Sequence, residues 1–316
     1  MNITGLHTLV FAVEDLPACR QYLLDYGLIP HPTQANRLEA LDGTGVELHA
    51  ADDAAHLPAA PAPGCMLRKT VMGVADKATL QALAENLGRD RAVRHLPDGS
   101  IESVDDSGFA IGFRVADNRL PAVSGELSNV PGSPVQRPVN TLGVDAQAGP
   151  IRPRTLSHVV YFVPDVAKAE AFYVERLGFR CTDRFHRVGP FLQPAGTLEH
   201  HTHFLIGAPA FMQGVEHFTF HFSGPTEVLQ NGNRFIEKGY QAFWGPGRHL
   251  LGSNWFWYFN SPLACHVEMD ADMDLHDDQW QPRAIDSSAD TSQAFLLRRR
   301  EKWMPGPGTP ANGDYA

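Results

Sequence analysis

Short apolar runs alternate along this chain with amphipathic stretches, and the alternation repeats. Leu9-Val10-Phe11-Ala12-Val13-Glu14-Asp15 and Val159-Val160-Tyr161-Phe162-Val163-Pro164-Asp165 are both strand-like runs ending in an acidic turn residue. A helical pattern follows each run. Ala169, Phe172, Tyr173 and Leu177 fall at helical spacing before Gly178, and Tyr22, Leu23 and Tyr26 precede Gly27 in the same way. Glycine is a natural C-terminal stop, and Asp15 and Asp165 suit helix N-caps. Weaker starts of the same kind occur at 70–76 and 215–222, the second leading into a helix over about 225–238 that ends at Gly239. The pattern predicts four strand–helix–strands modules, near 4–60, 66–118, 154–212 and 213–272, two modules to a domain. The domains expected are 1–118 and 154–275. The segment 119–153, rich in Pro, Gly and Ser, reads as a linker, and 276–316 reads as a tail. A short helix is expected around 292–300, and the Pro-Gly-Pro-Gly end is expected to be disordered.

Composition changes this picture little. The 316 residues suit two domains, and 43 % apolar with 20 % charged residues is an ordinary globular balance. The net charge of −10, with only Arg298-Arg299-Arg300-Glu301-Lys302 as a basic run, argues against nucleic acid as a partner. No stretch is long and apolar enough to span a bilayer. The start, Met-Asn-Ile-Thr-Gly, lacks a basic run followed by an apolar one, so a cytoplasmic protein is expected. The widely spaced Cys19, Cys65, Cys181 and Cys265 read as reduced thiols.

The candidate chemistry lies in the second half. His158, His217 and Glu268 each sit on a strand-like run. Two imidazoles and one carboxylate on one face of a divalent metal leave positions open for other ligands. The repeat confines this set to the later modules. His158 lies seven residues before Asp165, and the matching place before Asp15 is Thr8. His7 is one residue off and should point to the other face. Aligning Asp117 with Asp272 puts Phe113 at the place of Glu268. The first domain is therefore expected to be non-catalytic.

The run from His158 through Asp165, Phe172, Tyr173 and Gly178-Phe179 resembles the vicinal oxygen chelate superfamily. Further segments are similar to the type I extradiol ring-cleaving dioxygenases. They are Glu199-His200-His201-Thr202, 214–218, 245–249, 256–262 and Val267-Glu268. This resemblance is close over about 154–272 and weak in the N-terminal half. It implies an α+β fold, each domain a pair of βαβββ modules forming an open barrel-like sheet. It implies His158, His217 and Glu268 as ligands of Fe(II) or Mn(II), and His201 as the acid–base residue. His249 and Tyr258 would hydrogen-bond the substrate oxygens, with Tyr258 alternatively a core aromatic. The implied partners are a catecholic substrate and dioxygen, the implied reaction is cleavage beside the two hydroxyls, and a homo-oligomer is expected.

Neighbouring residues are open to more than one reading. His200 is expected to face away from His201 and to be structural, and His203 is a lesser candidate on the face of His201. Arg248 suits either an anionic group or a structural ion pair. His221 and His266 share the ligands' face and are expected to fill space. Phe185, Phe191, Phe204, Trp244, Trp255 and Trp257 suggest an aromatic pocket. Ala264 departs from the family pattern, which has glycine in that turn. Two rivals share the scaffold: a non-oxidative isomerase or lyase, and a ligand-binding module without catalysis.

Overall fold

The computed structural model describes residues 1–120, 124–145 and 149–298. Two mixed sheets account for most of the regular structure. The first contains β1 (Ile3–Val13), β2 (Ile29–Pro30), β3 (Arg37–Glu39), β4 (Gly45–Ala50), β5 (Leu67–Val74), β6 (Arg94–His95), β7 (Ile101–Val104) and β8 (Ala110–Val115). Helix α1 (Leu16–Tyr26) follows β1 and α2 (Lys77–Leu87) follows β5. The second contains β9 (Thr155–Val163), β10 (Arg180–His186), β11 (Gly189–Gln193), β12 (His203–Gly207), β13 (Gly214–His221), β14 (Ala242–Arg248), β15 (Trp255–Asn260) and β16 (His266–Ala271). Helix α3 (Val166–Ala171), extended by a wider turn over Phe172–Arg176, follows β9, and α4 (Pro225–Glu237) follows β13.

Each module is thus βαβββ, as the resemblance implies, on the four-module plan that the repeat predicts. Its first strand pairs in parallel with its last, because the helical crossover carries the chain back in the same direction. Paired modules meet through antiparallel contacts between their first strands, β1 with β5 and β9 with β13. The sheet orders are β2-β3-β4-β1-β5-β8-β7-β6 and, for the second set, β10-β11-β12-β9-β13-β16-β15-β14. Both sheets are open, since their end strands do not pair with each other.

Helix starts follow the expected chemistry. The side chains of Asp15, Asp76 and Asp165 each accept the backbone N–H three residues on. Gly27, in the left-handed conformation at φ 118°, ends α1. In the turn after Pro262, Ala264 takes the left-handed conformation at φ 56°, a backbone state that glycine adopts more readily.

The two sheets share one continuous apolar core. Phe11 meets Phe218 at 5.6 Å between ring centroids, and Phe109 stacks on Tyr161 at 4.3 Å. The Tyr26 hydroxyl of α1 donates to the Glu268 carbonyl at 2.5 Å, so the first half buttresses a strand of the second.

Strand register corrects the alignment of the two halves. Thr8 pairs with Val71 and Val71 with Gly112, just as His158 pairs with Thr219 and Thr219 with Glu268. The counterpart of Glu268 is therefore Gly112, and Phe113 lies one residue along, fully buried on the other face. The counterpart of His217 is Lys69, since Val10 pairs with Lys69 as Val160 pairs with His217. Lys69 binds Glu102 at 3.0 Å, and Arg94 binds the same carboxylate at 2.6 Å. An ammonium ion pair fills the place that the second half gives to a metal-capable set.

The region after 276 also differs from expectation. β17 (Arg283–Asp286) adds to β10 and β18 (Phe295–Leu296) adds to β14, so both edges of the second sheet are covered. Helix α5 (Ala289–Ser292) ends where the predicted helix begins, and residues 295–296 are strand instead. A short apolar segment beside an unpaired sheet edge gains backbone partners there that a lone helix would lack. The predicted disordered end lies outside the described residues.

Candidate active site

Side chains directly opposite each other in a sheet share a face, and residues two apart on one strand do too. Thr219 of β13 stands opposite His158 of β9 and opposite Glu268 of β16, and Glu268 stands opposite Tyr258 of β15. One row of side chains, His158–Thr219–Glu268–Tyr258, therefore crosses four strands on a single face. His217, two residues before Thr219, joins that face.

The convergence is close. His158 Nε2 lies 3.0 Å from Glu268 Oε2 and 3.3 Å from His217 Nε2, and His217 Nε2 lies 3.6 Å from the same carboxylate oxygen. Donors at right angles around one small divalent cation, each about 2.1 Å from it, stand roughly 3 Å apart. Two imidazole nitrogens facing each other beside a buried carboxylate form a poor arrangement without a cation and a good one around it. The set fits a metal. It is the only such group of three His, Cys, Asp or Glu donors among the described residues.

Neighbouring groups orient these donors. His217 Nδ1 donates to Glu216, which also accepts from His266 Nδ1 at 2.8 Å. Ser157 Oγ lies 2.8 Å from His158 Nδ1, and Thr219 Oγ1 donates to Glu268 Oε2 at 2.5 Å while lying 2.9 Å from His158 Nε2. Engaging Nδ1 leaves Nε2 of each ring as the nitrogen available to a metal. Burial opposes charge on Glu268, but its contacts with His158 and His249 outweigh burial and hold it well below the usual carboxylate range. Burial pushes the His158 and His201 imidazoles below their ordinary value, and neighbouring imidazoles push His201 further. Burial and the nearby Glu268 raise the Tyr258 phenol well above 10.

A cavity of about 290 Å³ opens beside the donor set, with His158 and His217 in its lining. His201, His249 and Tyr258 line it. The His201 ring is 4.3 Å from that of His158. His249 Nδ1 donates to the Ser292 carbonyl at 2.8 Å, and its Nε2 lies 3.2 Å from the Tyr258 hydroxyl. The far wall is apolar, built from Val160, Phe185, Phe191, Phe204, Ile206 and Leu251.

Several expected roles change. Residues 200–202 precede β12 and are not strand, so the alternation argument fails there. His200 does not turn away from His201 but touches it, Nδ1 to Nδ1 at 2.9 Å. His203 packs on Tyr161, Tyr173 and Phe179 in the core, outside the cavity. Trp255 and Trp257 alternate with Tyr258 and point to the opposite face, where Trp257 packs against α4. Arg248 is a structural residue, bound to Asp272 at 2.8 Å and to the Ser253 carbonyl at 2.7 Å. His221 pairs with Asp270 at 2.7 Å and Glu199 at 3.2 Å, and His266 stacks on Phe243. Thr219, Glu216 and Ser157 were legible only as strand residues. Sharing the ligands' face two residues away was the one available signal for Thr219. Ser292 had none.

Residues 155–262 match the family model of the Glyoxalase/Bleomycin resistance protein/Dioxygenase superfamily, and this stretch is a domain of that superfamily. A metapyrocatechase 2 from Cupriavidus necator is 37 % identical over 131 residues, 42 % of this chain and 40 % of that protein. The chain thus matches well under half the length of that relative. The Mn(II)-bound glyoxalase from Novosphingobium aromaticivorans superimposes with a TM-score of 0.71 at 19 % identity, covering 98 % of this chain and 97 % of the other. BphC, a halotolerant catechol dioxygenase, gives 0.70 at 14 % identity, with 94 % of each chain covered. These likenesses extend the shared fold over both halves. No helix among the described residues is long and apolar enough to cross a membrane.

Proposed function

We propose that this protein cleaves a catechol ring with dioxygen, opening it beside the two hydroxyls, at a single non-haem metal held by His158, His217 and Glu268. The observation that carries this reading is the close three-donor set, of which His158 and His217 line an apolar cavity beside an imidazole, His201, that is not one of the donors. A divalent iron, or manganese, would supply the Lewis-acid and redox chemistry that lets a catecholate react with dioxygen. Both oxygen atoms end in the product, a yellow hydroxymuconic-semialdehyde type compound. His201 takes up the proton of one substrate hydroxyl and returns it later, a task suited to an imidazole near neutral pH. His249 and Tyr258 hold the substrate oxygens through hydrogen bonds that strengthen as negative charge develops. The apolar wall keeps water out and selects the rest of the substrate.

That wall also sets the substrate class. Among the described residues, no lysine or arginine lines the cavity. A cavity of roughly 150 Å³ takes benzene, so about 290 Å³ suits one ring carrying an apolar substituent. Alkyl- or aryl-substituted catechols fit, whereas a carboxylate-bearing catechol would bury an unpaired charge.

The fold shared with a glyoxalase keeps a second reading, a non-oxidative metal-dependent isomerase or lyase, in view. Oxygen uptake decides between them. Anaerobically reconstituted Fe(II) protein given 3-methylcatechol and oxygen should consume one oxygen per substrate and turn yellow. Absence of uptake across a panel of catechols would exclude the dioxygenase reading. His201→Ala should keep its metal while losing about 10²- to 10⁴-fold in kcat.

A further inference from the structure

Behind His201 lies a buried chain of hydrogen bonds that the reaction as described does not use. His201 Nδ1 meets His200 Nδ1 at 2.9 Å. His200 Nε2 meets Asp183 Oδ2 at 2.8 Å, and both side chains are fully buried. Asp183 in turn accepts from the Arg283 backbone N–H at 2.7 Å and from its guanidinium at 2.5 Å. Strand β17 places Arg283 directly opposite Asp183. Gly252 packs against the His200 ring so closely that a Cβ there would stand 3.1 Å from Nδ1.

The chain has a direction. An ionised carboxylate only accepts hydrogen bonds, so His200 Nε2 must carry a proton. The Arg283 guanidinium already balances the Asp183 charge, so a second proton on His200 would be an uncompensated buried charge. His200 Nδ1 is then a bare acceptor, and the proton in the Nδ1–Nδ1 contact belongs to His201. The other nitrogen of His201, Nε2, is left unprotonated.

We infer that Asp183 and His200, clamped by Arg283, are positioning residues that hold His201 in its Nδ1–H tautomer and present Nε2 as the base toward the cavity. The inference rests on the acid–base role proposed above for His201. The region after 276 is thereby tied to the reacting group through Arg283.

Two measurements test this. In full-length protein loaded with diamagnetic Zn(II), long-range ¹H–¹⁵N spectra of the histidine rings should show His201 protonated at Nδ1. Asp183→Asn and His200→Gln should shift that population towards Nε2–H. An Nε2–H tautomer in the wild type, or no change in either variant, overturns the inference. In turnover, Asp183→Asn should lower kcat at least 10-fold with KM and metal content unchanged, and should cost nothing further in a His201→Ala background. An equal loss in that background would mark a merely structural role. Should the wild type cleave no catechol, the proposed function fails, while the tautomer spectra still decide the relay.

Discussion

At the residue scale, the proposed metal centre depends on one small side chain as much as on its three proposed ligands. Thr219 binds Glu268 and touches His158, so it sets the spacing of two donors. Thr219→Val keeps the shape and removes the hydroxyl. Metal affinity should fall about 10- to 100-fold, as it does when comparable outer partners are lost, while the circular dichroism spectrum is retained. Titration with Fe(II) or Zn(II) under chelator competition reads this directly, and unchanged affinity would refute the role. His158, His217 and Glu268 were legible among fifteen histidines because each sits in a segment that resembles the family's motifs. Thr219, Ser157 and Glu216 were not, because threonine and serine are ordinary strand residues and their use depends on which strand lies alongside.

At the element scale, strand periodicity carried most of the reading and also set its limits. It separated Thr8 from His7 correctly, yet the sequence alignment misplaced the counterpart of Glu268 by one residue, which in a strand means the opposite face. It failed at His200 and His201, where the chain is not strand. Helix α4 contains a glycine that periodicity alone marks as a flaw. Gly232 sits over Trp257 of β15, and a Cβ there would lie 2.0 Å from the indole ring. Alanine is normally the better helix former by about 1 kcal/mol, but overpacking costs typically 1–3 kcal/mol. Gly232→Ala should therefore destabilise the protein, with a lower urea midpoint. A stabilised variant would show that the indole moves freely aside.

At the scale of the whole molecule, the two halves have taken opposite courses on one scaffold. The second sheet gathers His158, His217 and Glu268. The first puts Thr8, Lys69 and Gly112 at the same places and neutralises Lys69 with Glu102. The final described segment then covers the edges of the second sheet and anchors itself through Asp183 and Arg283. Burial opposes the Asp183 charge, but hydrogen bonds from His200 and Arg283 outweigh it and hold the carboxyl at about 2. A carboxyl depressed in the folded state stabilises above its unfolded value near 3.9, and that contribution fades as pH falls towards the folded value. The gap in urea midpoint between wild type and Asp183→Asn should thus be widest above about pH 5 and narrow as pH is lowered to 3. A gap independent of pH would mean that the pair does not carry it. By itself the sequence determined the strand–helix–strands repeat and the opposite facing of His7 and Thr8, because these follow from local periodicity, while the resemblance to a known family singled out His158, His217 and Glu268. Only the tertiary structure decided the cross-strand row, the His201–His200–Asp183–Arg283 chain, the apolar wall and the edge strands after 276. Each of these joins residues distant along the chain, and their contacts depend on strand register and packing that no local pattern encodes.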